Sequence, residues 1–553
     1  MSNRHFAHWP VNHSRHITVP QTNLFYNVEV SATRFPDKPY ILFYDTPVSF
    51  AEFKDEAERI AGYLEQECKV KRGDRVLLYM QNSPQFVLAY YGILRANAVV
   101  VPVNPMNMTE ELRHYVKDTG ATAAIIAQDL YPQMAPLLDE GLQNILVATY
   151  SDYLKRPTSL RVPEFIQAPR QQLSGKGVRL WSDMLAADLR PGPLTAGPDD
   201  LCVMPYTSGT TGNPKGCMHT HASVMAGIAG SMQWFNVNQD TVSLSVLPFF
   251  HVTGMQGSMS GPLYQGGTIV LLPRWDREAA AECIQRYKVG SMQLISTMVV
   301  DLLAHPGIAD YDLSSLRVIR GGGAAMPEAV AQKLKDVVGV AYIEGYGMSE
   351  TMAATHINPV ARPKKQCLGI PIYGVESFVV DPSDFHELPA GEVGEVVVSA
   401  PNLMSGYWNN AEATRETFID INGKRFLRTG DLAMIDEDGY YFMMDRLKRM
   451  INASGYKVWP AEVETLLYRH PAIHEACVIG ALDAKRGETV KAVIVLRQAY
   501  RGKVSEQEIA DWAHENMAAY KSPRIIEFVD ALPKSSTGKL QWRELQERER
   551  NRA

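Results

Sequence analysis

The chain has 553 residues, 46% of them hydrophobic, enough for large buried cores and more than one domain. With 55 basic and 61 acidic residues the net charge is −6, so no overall basic field points to a nucleic-acid partner. The six cysteines are widely spaced and contain no Cys-x-x-Cys pair, which excludes a disulfide framework or cysteine metal cluster and fits a reducing, cytoplasmic compartment.

In chain order, residues 1–16 are polar and carry His5, His8, His13 and His16. They lack the apolar core of a secretory signal, and the histidine spacing fits no common metal site, so a disordered, solvated tail is expected. From about residue 24 to 445, apolar strand-like runs alternate with helical patterns. Residues 75–80 read as a strand, 84–96 as a helix and 98–103 as a strand again. The alternation recurs at 121–127, 145–148, 242–247, 268–272 and 316–319. This pattern predicts α/β layers with mostly buried strands. Residues 151–176, rich in Pro, Ser, Arg and Gln, read as an exposed excursion. The longest apolar candidate, 294–303, is broken by Ser296, Thr297 and Asp301 and falls short of the ~18–20 residues of a membrane span.

The densest chemical signal is Thr207-Ser208-Gly209-Thr210-Thr211-Gly212-Asn213-Pro214-Lys215-Gly216, following an apolar strand at 201–206. Hydroxyls, glycines and a lysine so close together can aim donors and one cation at a polyanion. Ordinary NTPases instead use Gly-x-x-x-x-Gly-Lys-Ser/Thr running into a helix. Here Pro214 precedes the lysine and Gly216 follows it, so the phosphates are held in another way.

Further on, residues 432–435 and 440–444 read as two strands joined by an Asp438-Gly439 turn. The basic run 446–449 fits a linker or a turn equally well. About a hundred residues with their own pattern follow it. A helix opens at Pro460, residues 476–480 and 492–496 are strands, and Ile509, Trp512, Ala513 and Tyr520 mark one helix face. The expected fold class is therefore α/β. A large multi-layer N-terminal domain (1–445), with sheets flanked by helices, precedes a small mobile α+β C-terminal domain (446–553).

Five ordered motifs resemble the adenylate-forming acid–thiol ligase superfamily of acyl-CoA synthetases, adenylation domains and beetle luciferases. They are the loop above, Gly345-Tyr346-Gly347-Met348-Ser349-Glu350-Thr351, Arg428-Thr429-Gly430-Asp431, Asp445-Arg446-Leu447-Lys448 and Pro533-Lys534-Ser535-Ser536-Thr537-Gly538-Lys539. The resemblance implies ATP, Mg²⁺ and coenzyme A as cofactors and a small carboxylic acid as substrate. Thr207, Ser208, Gly209, Thr210, Thr211, Gly212 and Lys215 would hold the β- and γ-phosphates. Glu350, helped by the Thr207 hydroxyl, would bind Mg²⁺. Gly322, Gly323, Ala324, Gly345, Tyr346, Gly347 and Ser349 would receive the adenine and let the acyl chain pass close to backbone. Asp431 would accept the ribose hydroxyls and Arg446 would reach the ribose or α-phosphate.

Lys448 marks the implied hinge, with Ser454 and Gly455 lining a pantetheine tunnel. Lys539 would sit between the substrate carboxylate and the α-phosphate, and His251 beside that carboxylate. Trp234, Phe235, Met255, Met259, Leu263, Met298, Gly323 and Met348 are candidates for the acyl pocket. Ser349 replaces the commoner threonine, and Asn452 stands where related ligases often have lysine.

The nearest resemblance, at 247–255, 311–316 and 480–495, is to bacterial fatty-acyl-CoA synthetases acting on medium- or long-chain acids. Alternatives are an aryl-CoA ligase of the hydroxycinnamate or benzoate type, or an acyl-AMP ligase serving a free carrier protein. A nucleotide-sensing protein would be expected to lose the ionic residues, yet Lys215, Glu350, Asp431, Arg446 and Lys539 are all present. No fused carrier domain is expected after Lys539. Homodimer formation and a peripheral membrane contact are left open by these residues.

Overall fold

The structure, a computed structural model, describes residues 4–207, 214–323, 326–453, 456–483, 487–534 and 540–552, without the side chains at 448, 452, 456 and 457. The chain divides into two compact units. The larger comprises Met1–Glu376 and Val398–Leu427, and the smaller Ser377–Val397 and Arg428–Ala553.

Two sheets of nine strands each, among the described residues, organise the larger unit. In one, the parallel strands Pro39–Phe43, Thr268–Leu271, Val242–Ser245, Ser291–Gln293, Val318–Gly322 and Tyr342–Met348 lie side by side. The antiparallel Ala353–Ile357 follows them. In the other, Arg75–Tyr79, Val99–Pro102, Ala123–Ala127 and Asn144–Ala148 form the parallel centre, and Lys215–Thr220 pairs antiparallel with Leu201–Val203.

The buried strands are apolar on both faces because each face meets a different core, as parallel sheets require. Val76 and Leu78 enter one cluster, shared with Ile41, Leu244 and Ile319 of the other sheet. Their neighbours Leu77 and Tyr79 point into a second, with Leu112, Tyr115 and Val116 of the helix Thr109–Thr119. The helix Phe50–Gln66, closed by a Ser49–Glu52 capping box, packs on Pro84–Arg95. Eleven of the twelve residues of Pro84–Arg95 are buried, which explains why its sequence is apolar all round.

In the smaller unit a five-stranded sheet is built on the hairpin Ile473–Asp483/Gly487–Leu496, with Gly487–Leu496 in the middle and Ile473–Asp483 at one edge. Ala476 and Val478 face one core with Val463, Leu467 and Ile509. Cys477 and Ile479 face another with Leu532 and Leu545, the latter from the helix Trp542–Arg550.

Two expectations are corrected. Residues 4–16 are not a solvated tail: Arg4–His8 forms a turn of 3₁₀-helix, and the Trp9 ring meets Trp234 and Tyr373 edge-on at 4.9 and 5.2 Å. Aromatic burial outweighs the polar composition there. Residues 151–176 are largely exposed, as expected, with Tyr153, Leu160 and Ile166 buried as anchors. Tyr520 lies beyond the end of the helix Glu506–Asn516 and is exposed. Among the described residues no helix is long and apolar enough to cross a membrane.

Candidate active site

The strands Tyr206–Thr207 and Lys215–Thr220 pair antiparallel, which sets Thr207 directly opposite Lys215 and Tyr206 opposite Gly216. The two chemical ends of the Gly/Thr/Ser loop are thus brought together. Ser208, Gly209, Thr210, Thr211 and Gly212 lie outside the described residues. The Lys215 ammonium stands 5.0 Å from the centroid of the Tyr407 ring.

Glu350 sits in a short turn, Ser349–Thr351, at the end of the strand Tyr342–Met348, and is buried. Its Oε1 accepts the Tyr407 hydroxyl at 2.7 Å. Its main-chain carbonyl accepts the Met404 N–H at 2.8 Å. The turn leaves Met352 and Ala353 at φ +44° and +80°, a left-handed region costly for residues with a Cβ. The Thr351 hydroxyl offsets this strain by accepting the Met348 N–H at 2.9 Å, and Asn402 Nδ2 donates to the Thr351 carbonyl at 2.6 Å. Ser349 is held from beneath: its carbonyl accepts Nε2–H of buried His219 at 2.8 Å. The other His219 nitrogen, Nδ1, then takes the Ser223 hydroxyl at 3.4 Å.

Burial pushes the His219 pKa down to about 4 from its ordinary 6.5. The unfolded chain therefore binds more protons than the folded one between those values, and stability present above pH 6.5 is lost as pH falls towards 4. In urea titrations at pH 7 and pH 4.5, wild type is expected to lose stability on acidification, and His219→Gln to lose of order 2 kcal/mol less. An identical pH dependence in the two proteins would contradict this.

Gly322 and Gly345 are partners in adjacent parallel strands, and a Cβ on Gly322 would stand 2.3 Å from the Gly345 carbonyl oxygen. A Cβ on Gly347 would meet the Ala353 oxygen at 1.7 Å. Only glycine allows these strands to approach so closely. Gly323, at φ +84°, opens onto space with no neighbour within 4 Å among the described residues; Ala324 lies outside them. The Tyr346 ring lies 5.7 Å from that of His356.

His251 caps the one-turn helix Val252–Gly254, its Nδ1 accepting the Thr253 N–H at 3.3 Å, and is exposed. A π-helical segment, Met255–Ser260, follows, a form frequent at functional sites. Trp234, Phe235, Met255, Met259 and Leu263 are buried, and Met298 packs against the same cluster that holds most of them. Met348 packs against a separate cluster with Cys217, Tyr407 and Leu427.

In the smaller unit, Asp431 and Arg446 are register partners in a β-hairpin, with Arg446 Nε 2.9 Å from Asp431 Oδ1. Gly430 at φ +67° lets the chain turn there, and the Thr429 hydroxyl receives the Asp431 N–H at 3.1 Å. Arg428 grips Glu395 through two nitrogens at 3.1 and 2.8 Å. Asp445 accepts the N–H groups of Arg446 and Ala461 at 2.6 and 2.7 Å, so it caps the helix Pro460–Leu467. Burial raises the Asp445 pKa, opposed by Arg449. Lys448 belongs to the 3₁₀ turn Leu447–Arg449. Ser454, Gly455 and Lys539 lie outside the described residues; Lys534 and Leu540, which flank the last, form an antiparallel bridge.

The donor chemistry suits a magnesium nucleotide. The buried Glu350 carboxylate, held by a phenol, and the Thr207 hydroxyl are hard oxygen donors of the kind Mg²⁺ takes, and Lys215, opposite that hydroxyl, is a cation for the phosphates. The paired Asp431 and Arg446 offer an acceptor for hydroxyls and a cation for phosphate.

Tyr407 and His219 escaped the reading of the sequence. A histidine on the inward-facing phase of Lys215–Thr220, in step with buried Cys217, was the available signal for His219. Nothing local marks Tyr407, which reaches the site from a distant strand.

The family model for the AMP-binding enzyme matches residues 28–408, and that for the AMP-binding enzyme C-terminal domain matches residues 462–539. The chain is 33% identical to a long-chain-fatty-acid–CoA ligase of Bacillus subtilis, covering 98% of this chain and 97% of the relative. It is 32% identical to a feruloyl-CoA synthase of Amycolatopsis, covering 90% and 92%. Among solved structures, the ATP-bound MatB from Rhodopseudomonas palustris superposes with a TM-score of 0.82 at 26% identity, over 95% of this chain and 98% of that one.

Proposed function

This chain belongs to the AMP-binding enzyme family of adenylate-forming acyl-CoA synthetases, and from that premise we propose that it activates a medium- or long-chain fatty acid as acyl-AMP and passes the acyl group to coenzyme A. The observation that carries the reaction class is the meeting of Lys215 and Glu350 on Tyr407, with Thr207 opposite the lysine. The fatty-acid preference rests on likeness to the Bacillus ligase over nearly the whole chain.

In the first half-reaction the acid's carboxylate oxygen attacks the α-phosphorus of ATP, and the α–β bridging bond breaks to release pyrophosphate. Such chemistry depends on positioning and on neutralising charge. Thr207, Lys215 and residues 208–212 hold the leaving phosphates. Tyr346 and the glycines Gly322, Gly323, Gly345 and Gly347, with Ala324 and Ser349, take the base. Asp431 orients the ribose, and Arg446 the ribose or α-phosphate. His251 stands beside the incoming carboxylate, and Lys539 offsets the repulsion between the two anions. A Mg²⁺ ion, held by Glu350 with Thr207, supplies charge neutralisation at the phosphates when bound.

In the second half-reaction the coenzyme A thiol attacks the acyl carbonyl and AMP departs. Ser454 and Gly455 leave a slot for pantetheine, and Lys448 marks the hinge at which we place the boundary between residues 1–445 and 446–553. Cytoplasmic location, homodimer formation and a peripheral membrane contact belong to the same proposal and are tested by fractionation, light scattering and vesicle flotation.

Hydroxamate trapping with ATP, Mg²⁺ and a panel of acids tests the reading. Medium- and long-chain fatty acids should give adenylate, and coenzyme A should convert it to thioester. No adenylate from any acid would defeat the enzyme reading. The aryl-CoA alternative has its own support in the feruloyl-CoA synthase likeness, and strict preference for hydroxycinnamates would select it. Acyl transfer to carrier protein but not to coenzyme A would select the carrier-serving ligase.

A further inference from the structure

We propose that Tyr407 is a positioning residue that binds the phosphate-loop lysine to the metal-binding glutamate, holding Glu350 by its hydroxyl and Lys215 by its ring. The inference rests on the roles given above to Lys215 and Glu350.

The two contacts are made by different parts of one side chain. The phenol oxygen lies 2.7 Å from Glu350 Oε1, and a carboxylate only accepts, so the tyrosine donates. The Lys215 ammonium, 5.0 Å from the ring centroid, lies within the range of cation–π attraction.

The backbone around Tyr407 is itself tied to both partners. Gly406–Tyr407 pairs antiparallel with Lys215–Thr220, placing Tyr407 opposite Cys217. The Trp408 N–H donates to Gly216 at 2.8 Å and the Ser405 N–H to Met218 at 2.8 Å. On the other side, the Met404 N–H donates to the Glu350 carbonyl at 2.8 Å. The Tyr407 N–H is taken by the Thr414 hydroxyl at 2.9 Å. A short strand laced on both sides leaves its tyrosine little freedom, so the carboxylate and the ammonium are ordered before any nucleotide arrives. That order should appear as affinity for the metal and for the polyphosphate, through separate atoms.

The test uses the full-length protein with Mn²⁺ in place of Mg²⁺ and a non-hydrolysable ATP analogue. Mn²⁺ binding is read by electron paramagnetic resonance and metal-free nucleotide binding by calorimetry in chelator. Tyr407→Phe keeps the ring and loses the hydroxyl, so it should weaken Mn²⁺ binding about tenfold, the scale of one hydrogen bond to a charged group. It should leave metal-free nucleotide binding within about twofold, because the cation–π contact persists. Tyr407→Leu should weaken both. Tyr407→His, which restores a ring donor, should recover part of the metal affinity, and it carries the test if the phenylalanine variant does not fold.

Glu350→Ala separates the two levels of inference. If Glu350→Ala weakens Mn²⁺ binding but Tyr407→Phe does not, and only its melting temperature moves, Tyr407 is a packing residue and the proposal is overturned. If Glu350→Ala leaves Mn²⁺ binding intact, the assignment of the metal site falls first, and the proposal falls with it.

Discussion

Lys539→Ala is expected to slow acyl-adenylate formation by about 10²–10³-fold, the usual cost of removing one group aimed at developing charge. The carboxylate and the α-phosphate are both anions, and their approach costs energy unless a cation lies between them. The second half-reaction has a neutral mixed anhydride as electrophile and gains less from that cation. Thioester formation from supplied acyl-AMP should therefore stay within a few-fold of wild type. Pyrophosphate release measures the first step and thioester appearance the second. Equal loss in both would contradict a role confined to adenylation. Lys534 provides the control: it is already paired with Glu475, and Lys534→Ala should leave both rates close to wild type, as exposed pairs contribute little.

Glu464→Ala is expected to destabilise the smaller unit by about 3 kcal/mol, the low end of the cost of stranding one member of a buried ion pair. The Glu464 carboxylate takes the Arg449 guanidinium and also the Val478 N–H at 2.7 Å. Arg449 lies 3.7 Å from Asp445 and donates to the Val478 carbonyl at 3.2 Å. Asp445 in turn caps the helix Pro460–Leu467. Without Glu464, Arg449 keeps the more distant Asp445 as its one ion-pair partner among the described residues. Glu464→Gln retains an acceptor and should cost less. Urea unfolding followed by Trp fluorescence measures both, and an unmoved unfolding transition for Glu464→Ala would refute the expectation.

This network shows why the run at 446–449 could not be assigned from composition. Arg446, Lys448 and Arg449 look alike as a basic cluster, yet Arg449 is largely buried beside two carboxylates. Which basic residue faces inward depends on the strand Tyr441–Arg446 ending where it does and on the helix Pro460–Leu467 lying against it. The local pattern carries neither fact.

Regular elements were far more legible. The strand readings at 75–80, 98–103 and 145–148 and the helix at 84–96 each agree with the structure to within about two residues at either end. The hairpin turning at Asp438-Gly439 is present, with Gly439 at φ +85°. Alternation of short apolar runs with helical spacing suffices for such elements, since each must bury one or two faces wherever it ends up. The tail at 4–16 was misread because composition reports average polarity, whereas Trp9 alone supplies the ring that docks between Trp234 and Tyr373.

By itself the sequence determined the α/β class, the family motifs in their order and the identity of the charged groups, all of which depend on residues close together in the chain. Only the tertiary structure decided that Thr207 faces Lys215, that Glu350 hangs from Tyr407 and that His219 supports Ser349. These contacts join segments far apart in sequence. The free energy that selects them comes from strand pairing and burial across the whole sheet, to which no short stretch of residues testifies.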